Sequence, residues 1–124
     1  MKTYKELDVY KRSYELAVSV HGFVSQLPKE FKYDLIDQIR RATRSIPANI
    51  AEGFGRGKSR KDTVNQLRTA LGSNDEVLFN FEFMRDVKLI NTESSKHYIG
   101  EYTIIGKQLV RLIQSIDKPV TSNQ

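Results

Sequence analysis

The stretch Gly53-Phe54-Gly55-Arg56-Gly57-Lys58-Ser59 invites a phosphate-loop reading, because glycine-rich backbone at a helix start can turn several amides toward a phosphate. That motif requires glycine five residues before Gly57, where this chain has Glu52, and a strand before the loop, where the preceding residues have helical periodicity. The stretch is therefore read as a helix-to-helix turn. The only histidines, His21 and His97, fall on different predicted helices, and neither sits in the E-x-x-H or H-E-x-x-H spacing that puts two ligands on one helical face. His21 is expected as a packed edge residue and His97 as a solvated one. With no cysteine there is no thiolate site. No nucleophile has a positioned base. The residues assign no catalytic site, no metal and no cofactor, and the expectation is a protein that is not an enzyme.

Charge is the remaining chemistry. Between Arg40 and Lys61 lie seven basic residues, Arg40, Arg41, Arg44, Arg56, Lys58, Arg60 and Lys61, against the single acid Glu52. This local excess of +6 exceeds the +5 of the whole chain, so the rest is close to neutral. Guanidinium forks and ammonium groups on a shared face would meet a phosphate backbone, and these seven are the candidate nucleic-acid contacts. The bland alternative is a solvated surface in which Asp37 neutralises Arg41 and Glu52 neutralises Arg56 at i,i+4. Most aromatics fall in core stripes, so no stacking platform for bases is expected. Asn49 and Asn74 lie on or beside apolar stripes, where a lone polar group usually fixes register.

Four helices must position these groups. The chain has 124 residues, enough for one domain with its own core. In the first helix, about Leu7 to Gln26, one seam runs Leu7, Tyr10, Tyr14, Ala17, His21, Val24 and a second runs Val9, Ser13, Leu16, Val20, Phe23, Leu27; such a helix needs more than one neighbour. Pro28 breaks the pattern. The second helix is expected from about Glu30, with Phe31, Leu35, Ile39, Ala42, Ile46 and Ile50 inward, passing through Pro47 with a kink near Thr43 to Ile46 and ending at Gly53. Ser59 and Asp62 have near capping-box spacing for the third helix, whose stripe reads Val64, Leu67, Leu71, Asn74, Leu78, Phe81, widened by Phe79, Phe83 and Met84. Thr92 is the expected N-cap of the fourth, with Tyr98, Tyr102, Ile105, Leu109, Leu112 and Ile116 inward. No stretch alternates as a strand would. The prediction is an all-α, up-and-down antiparallel four-helix bundle over residues 1–117 and a disordered tail over 118–124. The start of the chain lacks a signal-peptide pattern and no run is long enough to span a membrane, so a cytoplasmic location without membrane contact is expected.

Two runs, Gln38-Ile39-Arg40-Arg41-Ala42-Thr43-Arg44-Ser45-Ile46-Pro47-Ala48-Asn49-Ile50-Ala51-Glu52-Gly53-Phe54-Gly55-Arg56 and Ala70-Leu71-Gly72-Ser73-Asn74-Asp75-Glu76, resemble the bacterial four-helix-bundle proteins encoded in intervening sequences of 23S rRNA genes. That family is related to the accessory variability determinant proteins of diversity-generating retroelements. The resemblance covers about Tyr4 to Asp117. It implies a ring-like homopentamer with a basic surface, and relatives that bind nucleic acid and a reverse transcriptase. Arg40, Arg41, Arg44 and Arg56 match the family's basic positions, and Pro47, Asn49, Glu52 and Gly53 its helix-to-turn motif. Thr43-Arg44 departs from the family pattern by adding a charge, and Asn74-Asp75 by replacing a more apolar stretch. The functional expectation is a basic accessory factor binding RNA or DNA electrostatically. The rival is a protein-interaction scaffold that recruits a partner without touching nucleic acid.

Overall fold

The computed structural model describes residues 3–117, and among these all regular structure is helical. The four long helices are α1 (Asp8–Val24), α2 (Asp37–Gly53), α3 (Arg60–Asp86) and α4 (Thr92–Ile116). The predicted tail lies outside the described residues. No described helix is long and apolar enough to cross a membrane.

Side-chain bonds fix the direction of each helix against the next. Thr63 reaches the Gly53 carbonyl while Ser45 meets Ser73, so α2 and α3 run antiparallel. Asn74 with Tyr102 and Arg68 with Asp117 do the same for α3 and α4. The bundle closes where Arg12 meets Glu101 and Ser19 meets Tyr98, setting α1 against α4. Toward the end of the bundle where α1 and α3 finish and α4 begins, Phe81 stacks on Tyr98 at 4.9 Å between ring centroids, with Phe23 5.1 Å from Tyr98, so one aromatic cluster joins α1, α3 and α4. Such pairs add about 1 kcal/mol to what their burial supplies.

The predicted inward residues of α2 are buried from Leu35 to Ile50, and the helix runs through Pro47. Its start differs from the expectation. After Pro28 the chain makes a 3₁₀ turn at Lys29–Phe31 and a π turn at Lys32–Ile36, and regular helix begins only at Asp37. The wider π turn rotates successive residues less than an α turn does, which lets both Leu35 and Ile36 reach the core beside Ile39.

Three further expectations are corrected. On α1 the seam of Val9, Ser13, Leu16 and Val20 is buried, whereas the other is buried only at Ala17 and Val24 and leaves Tyr14 and His21 exposed. On α3 the buried line includes Ala70 and Val77, and Leu71 and Leu78 sit half-buried at its edge, because 27 residues at about 100° each let the core stripe drift around the helix. The N-cap of α4 is Asn91, whose side chain accepts from the Ser94 amide at 2.7 Å; Thr92 is the first helical residue.

Candidate nucleic-acid interface

The cations of the middle segment are placed by how α2 ends and α3 begins. Gly53 is buried against α3, with room for a Cβ only 3.1 Å from that of Gln66, and its carbonyl accepts the Thr63 hydroxyl at 2.6 Å. The chain then reverses through Gly57, whose φ of 75° lies in the left-handed region open to glycine. Ser59 caps α3 by accepting the Asp62 amide at 3.0 Å, and the Asp62 carboxylate returns the bond to the Ser59 amide at 3.2 Å. That amide is the main reason the Asp62 carboxyl titrates below the usual aspartate range, helped by the Ser59 hydroxyl and then by the charges of Lys58 and Lys61. Arg56, Lys58, Arg60 and Lys61 project from this short scaffold, and all four are exposed. Arg60, Lys61 and Arg68 line a shallow concavity with Ser59, Val64 and Asp117.

Arg40, Arg41 and Arg44 occupy a different place. They lie on the first half of α2, and at 1.5 Å per residue Arg44 is about 13 Å along the axis from Gly53. Arg40 is half-buried and donates through Nη2 to the His21 carbonyl at 3.0 Å, tying α2 to the end of α1. Arg44 donates through Nε to the Arg40 carbonyl at 3.2 Å, and its side chain edges a groove between α1 and α2. Arg41 is exposed. The segment thus forms two basic clusters, one at the turn and one along α2.

Neither postulated neutralising pair forms. The ion pairs among the described residues are Arg12–Glu101, Arg68–Asp117 and Arg85–Asp86, so neither Asp37 nor Glu52 engages an arginine. For Glu52 the reason is geometric: α2 stops at Gly53, so Arg56 never takes the helical i+4 position. Among the described residues, none of the seven candidate cations has a carboxylate within ion-pair distance.

The polar motif residues have structural partners. Asn49 donates to the Ser45 carbonyl at 2.8 Å and to its hydroxyl at 2.9 Å, and that hydroxyl shares a 2.8 Å bond with Ser73, a small polar bridge from α2 to α3. Asn74 is fully buried and donates to the Tyr102 carbonyl. Pro47 is buried on the α1 side of α2 and lines the groove there. His97 is exposed and packs edge-on against Tyr98. Among the described residues no three His, Cys, Asp or Glu side chains gather as a metal ion would need.

Sequence reasoning missed the groove itself. Its walls are Tyr10, Tyr14, Ala17 and Val18 of α1 and Pro47, Ala48 and Ala51 of α2. Small residues at 47, 48 and 51 were a readable signal, since three- and four-residue spacings put them on one helix side.

A bundle of four antiparallel helices joined by short connections, with a basic turn between the second and third, defines a small all-α protein class. Residues 5–111 match the family described as 23S rRNA-intervening sequence protein, and the chain belongs to that family. A solved structure of a protein of unknown function from the S23 ribosomal protein family of Bacteroides thetaiotaomicron is similar to it at 28% identity and a TM-score of 0.76, covering 86% of this chain and 95% of that one. No curated protein matches the chain.

Proposed function

We propose that the protein is a non-enzymatic accessory factor that binds RNA or DNA through charge, chiefly by Arg56, Lys58, Arg60 and Lys61 at the α2–α3 turn. The observation that carries this reading is that none of these four exposed cations has a carboxylate within ion-pair distance among the described residues. An arginine already paired gains little from a phosphate, whereas an unpaired one releases counterions on contact. Arg40 and Arg44 already bond to backbone carbonyls, and Arg41 extends the basic surface along α2. Recognition is of shape and charge, with little base readout, because no groove-reading helix stands clear of the bundle.

The protein acts as an oligomer in this reading. Family resemblance points to a ring-like homopentamer, and Tyr14, Val18, Phe79, Phe83 and Val87 remain exposed beyond what one bundle buries. Several copies would present several basic turns to one polyanion, and weak contacts would add by multivalency. The same apolar surplus favours the rival reading, a scaffold that recruits a partner protein such as the reverse transcriptase of the retroelement relatives. Fluorescence anisotropy with a labelled RNA duplex tests the choice. Binding that weakens steeply as salt rises supports the nucleic-acid role; no binding at low salt leaves the scaffold.

A further inference from the structure

Phe79, Phe83 and Val87 stand in a row on α3 and its C-cap, 64%, 47% and 53% exposed, at a spacing of four residues that keeps side chains on one helical face. Their neighbours Val77, Phe81 and Met84 fill the core, so the row is an outward ridge. Asp75, Glu76 and Glu82 flank it, and among the described residues none of these carboxylates takes part in an ion pair.

The α1–α2 face carries the opposite shape. Its groove has a volume of about 430 Å³ and an apolar floor, with Tyr14 and Val18 on one wall, the small residues Pro47, Ala48 and Ala51 on the other, and Arg44 at the rim. Tyr10 stacks against Tyr14 at 6.1 Å and steadies that wall.

We infer that the groove of one copy receives the Phe79–Phe83–Val87 ridge of a second copy. Both surfaces are apolar, one concave and one raised. Their rims are complementary in charge: residues 72–87 hold Asp75, Glu76, Glu82 and Asp86 against Arg85 alone, whereas residues 37–51 hold Arg40, Arg41 and Arg44 against Asp37 alone. Asp75, Glu76 and Glu82, in no ion pair among the described residues, meet guanidiniums across the seam. No residue of α3 lines the groove, so each copy offers the two halves at separate places and the contact is heterologous. Copies then add head to tail, and a suitable rotation closes a ring. The inference rests on the proposed self-assembly and gives Arg44 to the seam, leaving the α2–α3 turn to the polyanion.

The test uses the full chain and two variants at exposed positions: Ala48→Trp, which fills the groove, and Phe79→Lys with Phe83→Lys, which spoils the ridge. Circular dichroism checks that each variant folds, and light scattering reads mass. The wild type is expected at a multiple of the 14.3 kDa chain mass, and each variant alone at 14.3 kDa. Mixed in equal amounts, the variants retain one good groove and one good ridge, so the mixture is expected at twice the chain mass and no higher. A monomeric wild type, variants that still assemble, or a mixture that stays monomeric each overturn the inference. Loss of RNA binding in an assembled wild type strikes the proposed function alone and leaves this result standing.

Discussion

The hydroxyl of Thr63 donates to the carbonyl of Gly53 at 2.6 Å, joining the first turn of α3 to the last residue of α2. The carbonyl at a helix end lacks an intrahelical partner, so this bond satisfies it and fixes the angle at which the basic turn leaves the bundle. Thr63 is buried, and Thr63→Val keeps its shape while removing the donor. The expected cost is about 1 kcal/mol, read as a lower denaturant midpoint at unchanged slope. Thr63→Ser retains the donor and is expected to lose less.

The capping box links the same turn to pH. Asp62 titrates below its ordinary value of 3.8 because the Ser59 amide, then the Ser59 hydroxyl, stabilise its charged form. A carboxyl whose folded pKa is depressed contributes stability that is complete above the unfolded pKa and fades as pH falls through the folded one. Asp62→Asn is therefore expected to flatten the acid limb of a stability-versus-pH curve below about 4, with little change in its shape near neutrality.

At the centre of the bundle the sign reverses. Burial, aided by the neighbouring Tyr98, pushes the Tyr102 hydroxyl well above the usual tyrosine value of 10, and that hydroxyl has no hydrogen-bond partner among the described residues. Its folded pKa is raised, so its contribution is complete below the unfolded value and is lost as pH climbs above 10. Tyr102→Phe is expected to leave stability at pH 7 unchanged or slightly higher, since it removes an unsatisfied polar atom, and to weaken the alkaline destabilisation. Thermal unfolding at neutral and alkaline pH measures both.

Asn74 shares this region, and its Nδ2 lies 3.1 Å from where a Cβ on Gly106 would stand. Held by its bond to the Tyr102 carbonyl, Asn74 cannot give way freely. In a helix interior alanine is favoured over glycine by about 1 kcal/mol. Gly106→Ala is expected to forfeit that gain in the wild type and recover it in an Asn74→Ala background. A double-mutant cycle on chemical denaturation reads the coupling.

Much of this architecture was legible in residue spacing. Ser59 and Asp62 announced their capping box, Leu35 to Ile50 announced the inner face of α2, and the glycines announced its end. What escaped depends on neighbours. His21 shares the heptad seam of Tyr10 and Tyr14, but at Tyr14 and His21 that seam edges a groove walled by small residues and stays open. Asn91 and Thr92 are both competent caps, and only the backbone path decides between them. The basic segment read as one patch because it is continuous in sequence; an intervening helix puts Arg40, Arg41 and Arg44 along α2 and Arg56 to Lys61 at its end. Glu52 and Arg56 have the spacing of a helical pair, but the helix ends between them.

Polyanion binding at the α2–α3 turn is read from the salt dependence of RNA affinity for the wild type and for Arg56→Ala/Lys58→Ala/Arg60→Ala/Lys61→Ala. Each phosphate neutralised on a duplex contributes about 0.9 to the slope of log affinity against log salt. A steep linear slope in the wild type, reduced by about 3 or more in the folded variant, is the predicted result. A flat wild-type slope, or one that the four substitutions leave unchanged, contradicts the account.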